Sequence, residues 1–219
     1  IQKLVAEKMK ASYLDAPHIH LSLHVFTGKI NEIRQKLNKG PSDDVHISMT
    51  DIFLWAVGHT LKKHPRLNAT LVADEIHILS EINVGFAVTT DAGLVVPVVP
   101  NTDQLDIRTI AKKRDELATR TRENRQTQED LFGGTFTITN LGMFAVEEFD
   151  PILSPGQAGI LAIGKEVPQA VPDSKGEVIF VPMVKLTVAC DHRVANGVDG
   201  ARFLSDLKDL LENPNDSLR

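Results

Sequence analysis

Early in the chain, Ile19, Leu21, Leu23 and Val25 alternate with His18, His20, Ser22 and His24, a period of two that predicts a strand with one buried face. Before it, Leu4, Val5 and Met9 follow helical spacing. After it, Ile30, Ile33 and Leu37 predict a short helix closed by Gly40-Pro41. The run Ile52-Phe53-Leu54-Trp55-Ala56-Val57 is apolar all round, which predicts a deeply buried helix capped by Ser48 or Thr50 and stopped by Pro65. Strands fit residues 82–89 and 94–99, and Ile107, Ile110 and Leu117 with a charged face predict a helix to about Arg125. Further strands fit 160–163, 178–184 and 184–190. After Gly197, the residues Val198, Ala201, Phe203, Leu204, Leu207, Leu210 and Leu211 recur at helical spacing, with Asn213-Pro214 as a stop. The elements interleave without an internal repeat, so the expected class is α/β.

A chain of 219 residues can bury a substantial core and fits one domain, residues 1–219. The charge is mildly acidic, formally −5, and mixed in sign along the sequence, which points away from nucleic acid and from a bilayer surface. One cysteine, Cys190, excludes an internal disulfide framework and suits a reducing compartment. Apolar stretches are too short to span a membrane, so a soluble intracellular protein is expected. The sequence starts at Ile1 and enters a helical pattern at once, which reads as a fragment.

The most informative chemistry is in Asp191-His192-Arg193-Val194-Ala195-Asn196-Gly197. It sets a histidine between an apolar, β-branched run and a helix, on a framed loop where a general base would sit. A histidine satisfied by neighbouring backbone is the alternative. Upstream, residues 133–142 alternate Phe136 and Ile138 with Thr135, Thr137 and Thr139, so a strand with a hydroxyl-bearing face ends at Thr139. Cys190 precedes His192 by two positions and would face the same way on a regular strand; a buried thiol is the expected reading, a nucleophile the minority one. His18, His20 and His24 share a strand face but have no cysteine or carboxylate at ligand spacing, so no metal site is assigned. Residues 159–165 match the spacing of a phosphate loop only by accident, because the spacer is strand-like and Glu166 would repel phosphate. Arg120, Arg122 and Arg125 read as a solvated helix end.

The two tracts, Asp-His-Arg-x-x-Asn-Gly and Gly133-Gly134-Thr135-Phe136-Thr137-Ile138-Thr139-Asn140-Leu141-Gly142, together resemble the signatures of the dihydrolipoyl acyltransferases of 2-oxo acid dehydrogenase complexes. The likeness extends through residues 1–9, Ala16-Pro17-His18, residues 93–98 and residues 160–164. Asn140-Leu141-Gly142-Met143-Phe144 looks most like the acetyl-transferring branch.

The resemblance implies a chloramphenicol acetyltransferase-like mixed sheet with packed helices, forming trimers that build a larger core. It implies acyl transfer between dihydrolipoamide and coenzyme A, with His192 as general base, Thr139 as oxyanion donor and Asn196 beside them. Thr139 stands where the family usually has serine, and Asn196 where it often has aspartate. For coenzyme A, the resemblance suggests Arg34, Ser48, Thr89, Thr139, Asn140, Ile163 and Gly164. The lipoyl group would be carried on a domain absent from this chain, since the Asp-Lys-Ala turn of lipoyl domains does not occur, and dehydrogenase subunits would be partners through other absent domains. The compartment would be cytoplasmic, or the mitochondrial matrix in a eukaryote. A non-catalytic core subunit and a small-molecule O-acetyltransferase are the competing readings.

Overall fold

The computed structural model describes residues 2–39, 45–91, 93–214 and 218. Gly40 and Pro41 lie outside them, as does the helix closure expected there. Among the described residues no helix is long and apolar enough to cross a membrane.

Helix α1 (Gln2–Asp15) leads into strand β1 (His18–Phe26), then α2 (Gly28–Leu37) and α3 (Met49–Leu61). Ser48 caps α3: its hydroxyl accepts from Asp51 N, and the Asp51 carboxylate accepts from Ser48 N, a reciprocal capping box. The interior of α3 is buried almost all round, as its composition predicts. Asp51 is buried with it, and Arg114 of α4 (Ile107–Arg122) reaches it with Nε at 2.8 Å and Nη2 at 2.9 Å. Burial alone would lower the Arg114 pKa, but its bonds to Asp51 outweigh this and raise it. The helix stops at Arg122, short of Arg125. Asn124 takes φ 55°, and Arg125 N and Asn124 N donate back to Arg120 O and Thr121 O, a Schellman-type close.

Most of the strands form one mixed sheet. Its order is β1, β11 (Val178–Asp191), β9 (Gly159–Ile163), β8 (Phe136–Asn140), β4 (Val84–Phe86), β7 (Val98–Val99), with β10 (Val167–Pro172) pairing the outer half of β11. Strands β4, β8 and β9 run parallel and the remaining pairs antiparallel. The main core lies between the sheet and helices α3, α4 and α5 (Gly197–Glu212); Val184, Leu186, Val188 and Cys190 of β11 enter it. Ala189 points to the other face, into a small cluster with Ala16, Leu153 and Ile160.

Several strands differ from the sequence reading. Residues 178–184 and 184–190 are one continuous strand. Residues 82–89 and 94–99 each divide, because Pro97 has no N–H to continue the ladder, although its carbonyl still accepts from Phe86 N. The outer halves, β5 (Val88–Thr90) and β6 (Gly93–Val95), leave the sheet as a separate ribbon. The hairpin of β2 (Ala69–Val72) and β3 (Glu75–Ile78) turns through Ala73 and Asp74, both at positive φ and neither a glycine, so no turn signal announced it. Strand β10 contains Pro168 and Pro172, tolerable because it pairs on one side only.

Removing one partner of the buried Asp51–Arg114 pair leaves an uncompensated charge. Arg114→Met is expected to destabilise the fold by about 3–5 kcal/mol, read as a lower urea midpoint with an unchanged slope.

Candidate active site

The turn after β11 is held by its backbone. Asp191 N donates to Ala158 O at 3.1 Å and His192 N to Pro17 O at 2.9 Å, so the turn hangs from the segments preceding β9 and β1. Val194 N and Ala195 N both return to Asp191 O at 2.9 Å, and Arg66 Nη1 donates to Val194 O at 3.0 Å. The buried Asp191 carboxylate faces Arg193, which donates from Nε at 3.0 Å and Nη2 at 2.7 Å; Asp15 of α1 completes the group. These bonds raise the Arg193 pKa, so it stays charged. Asn196 then caps α5, its Oδ1 accepting from Val198 N and Asp199 N, with Asp199 returning the bond to Asn196 N. His192 itself is exposed, and among the described residues its imidazole has no partner. Backbone, ion pair and cap fix where it stands and leave both ring nitrogens open.

Strand β8 carries Thr137 and Thr139, with Thr135 just before it. The hydroxyls of Thr135 and Thr137 are buried and used within the chain, the first by the backbone of Asn83 and the second by Ser154 and Gln157. The expected hydroxyl-bearing face is therefore interior for most of its length. Thr139 differs: it is half-buried, and among the described residues its hydroxyl has no partner.

Beyond Thr139 the chain forms a cleft of about 240 Å³ lined by Arg34, Asn140, Met143, Ile163, Gly164 and Glu166, among others. Four of the residues suggested for coenzyme A thus meet. Among the described residues Arg34 Nε is buried without a partner, and Nη2 lies 3.5 Å from Asn31 Oδ1. Asn140 is fixed by two bonds, accepting from Gly142 N at 2.8 Å and donating to Thr50 Oγ1 at 3.2 Å. A Cβ on Gly164 would stand 1.9 Å from Glu147 O, so glycine is required by close approach. Glu166, which sequence reasoning used only to reject a phosphate loop, lines the cleft and accepts from Asn31 Nδ2 at 2.8 Å and from the Thr27 hydroxyl. Ser48 precedes the cleft residue Met49, with its hydroxyl engaged in the α3 cap. Thr89 lies on the β5–β6 ribbon and does not line the cleft.

One chain does not bring His192 and Thr139 together. Thr139 pairs with Ala162, and Ala162 with Thr187, so two strand spacings separate it from β11. His192 lies five residues further along, which places the two on the order of 20 Å apart.

The family model of the 2-oxoacid dehydrogenases acyltransferase catalytic domain matches residues 1–219. The chain belongs to this family. It is 37% identical over 216 residues to the dihydrolipoyllysine-residue acetyltransferase component of the mitochondrial pyruvate dehydrogenase complex of Schizosaccharomyces pombe, covering 98% of this chain and 45% of that protein. The chain spans about half the length of the curated relatives it matches. It superposes on the dihydrolipoamide acetyltransferase of Azotobacter vinelandii with TM-score 0.91 and 27% identity, over 100% of this chain and 90% of that one. The catalytic mechanism of that enzyme was investigated at a serine, a histidine and, four positions after the histidine, an asparagine. Chloramphenicol acetyltransferase has the same fold, with TM-score 0.61 at 13% identity over 94% of both chains.

Within this acyltransferase fold Cys190 is not a nucleophile. β11 ends at Asp191, so His192 turns out to solvent while Cys190 stays in the core, where a Cβ on Gly200 would lie 3.1 Å from its sulfur. Burial, with the Asp199 charge adding to it, pushes the thiol up to about 12. Because this value is raised, the neutral thiol's contribution to stability is intact below about pH 8.5, the ordinary thiol value. It is lost as pH climbs from there through the folded value. Cys190→Ala is expected to leave the rate unchanged and to flatten the alkaline part of the stability curve, read from urea midpoints across pH. The native thiol should react with an alkylating probe only on unfolding.

Proposed function

We propose that this domain transfers an acyl group, acetyl above all, between the thiols of dihydrolipoamide and coenzyme A within a 2-oxo acid dehydrogenase complex. The observation that carries this reading is the exposed imidazole of His192, without a partner among the described residues, on a turn held by backbone bonds, an ion pair and a cap. His192 and Asn196 stand four positions apart, the spacing studied in the Azotobacter enzyme. The lipoyl arm would come from another domain of the full-length protein, and dehydrogenase subunits would associate through further domains. The compartment of the Schizosaccharomyces relative is mitochondrial, and bacterial members would work in the cytoplasm.

Thioester exchange between two thiols is close to thermoneutral, so the task is to make a thiolate and to hold an oxyanion. A thiol with pKa about 8.5 is mostly protonated near neutrality, and neutral His192 would take its proton during attack on the thioester carbonyl. The Thr139 hydroxyl would donate to the oxyanion, a contribution of about 3 kcal/mol. Collapse expels the second thiolate, which recovers the proton from His192. Asn196 fixes the exit of the turn by capping α5. In the cleft, the Nε of Arg34, without a partner among the described residues, suits a phosphate oxygen of coenzyme A, and Asn140, Ile163 and Gly164 would shape the wall along its chain.

The separation of His192 from Thr139 supports a site shared between subunits. In a closed trimer one heterologous contact repeats around the axis, so His192 of each copy can face Thr139 of its neighbour.

His192→Ala is expected to lower transfer about a hundred- to ten-thousand-fold with assembly intact. Thr139→Ser should stay active, whereas Thr139→Val should lose about two to three orders of magnitude in kcat. Coexpressed His192→Ala and Thr139→Val chains should recover part of the activity, because some interfaces then pair two intact residues. Mixed trimers without recovered transfer between acetyl-coenzyme A and dihydrolipoamide would refute the shared site.

A further inference from the structure

The main-chain donors of the catalytic turn reach two separate segments, Ala158 through Asp191 N and Pro17 through His192 N. The base is therefore placed only as well as those segments are placed relative to each other. They are joined at Leu153. Its carbonyl accepts from Ser12 Oγ at 2.7 Å, and its N–H donates to His18 Nε2 at 3.0 Å. Its side chain is buried with Ala16, Ile160 and Ala189. The other ring nitrogen of His18 lies 2.6 Å from Ala16 O. A carbonyl only accepts and an amide N–H only donates, so His18 must be neutral, with its proton on Nδ1 and a bare Nε2.

We infer that His18 is a positioning residue for the acyl-transfer base: its neutral Nδ1–H tautomer ties Ala16 to Leu153 and thereby sets the Pro17 carbonyl that holds His192. This rests on the reading of His192 as that base. A second proton on His18 can go only to Nε2, where it would point at Leu153 N–H and break the tie. Among the described residues, the titratable and charged groups placed around the ring are Tyr13 of α1, His20 of β1 and Asp191 of β11, with Arg193 and Asp15 joined to Asp191 in one ion-pair group. The Tyr13 and His20 rings lie 5.6 and 5.9 Å from it. Asp191 is opposite in register and, with Asp15, is engaged with Arg193. Both carboxylates of that group are thus engaged by Arg193 and not by the ring.

The test measures kcat and KM for acetyl-coenzyme A and dihydrolipoamide on the assembled protein from about pH 5 to pH 8. His18→Leu removes both bonds and should lower kcat about ten- to hundred-fold, with both KM values nearly unchanged, as expected of a displaced base. His18→Gln offers Leu153 N–H an acceptor that does not titrate. It should recover most of kcat. A leucine variant at full rate, or a glutamine variant as slow as the leucine one, overturns the assignment. Should the leucine variant fail to fold, 15N spectra of histidine-labelled protein decide: a protonated Nδ1 with bare Nε2 is expected, and the opposite tautomer overturns it. A fully active His192→Ala variant would sink the reading of His192 as base, separately from either result.

Discussion

The register of β11 is the constraint on which the arrangement depends. This strand pairs with β1 along its inner half on one edge, with β9 on the other, and with β10 along its outer half. A slip of one residue would exchange its two faces, driving Ala189 into the main core and Cys190 toward Leu153. The close fit of Cys190 beneath Gly200 specifies the register. The end of the strand then fixes where the chain must turn, and so which residue leaves the sheet as an exposed imidazole.

Charge is managed the same way at both ends of the molecule. Asp51 and Asp191 are buried carboxylates, and each accepts from its own local backbone and from one arginine in a two-pronged contact. At the α3 end this locks a helix start beside the cleft. At the β11 end it joins Asp191 and Asp15 to the arginine adjacent to the histidine, so that neither carboxylate pairs with the imidazole. The buried pair is thus a device of placement as much as of stability.

Much of this was legible in the sequence because it is local. The helix after Gly197, the capped apolar helix after Ser48 and the strand-to-helix turn at His192 follow from spacing, caps and stops. What the sequence does not record is partnership across the sheet. The pattern Thr135, Thr137, Thr139 is identical in kind at each position, yet Asn83, Ser154 and Gln157 occupy two hydroxyls and leave the third, and none of those partners is near in sequence. The distance between His192 and Thr139 is likewise a property of strand order. Thr89 was placed with the cleft by local likeness, and the break at Pro97 carries it away on a separate ribbon. Glu166 was missed as a cleft residue because its partners, Thr27 and Asn31, come from the start of α2.

The contact between Gly164 and the carbonyl of Glu147 gives the cleft two walls of different character. On the side of β9 the backbone of one segment lies against the backbone of another, and no side chain of any size can be inserted at Gly164 without moving the loop behind it. The rim on α2 is built of side chains, with Arg34 and Asn31 on that helix. Variation in what the cleft accepts is therefore confined to that rim. A chain that drifts in sequence, or is redesigned for a bulkier carrier, can widen or recharge it from one side only, while the other acts as a fixed gauge against which every ligand is measured.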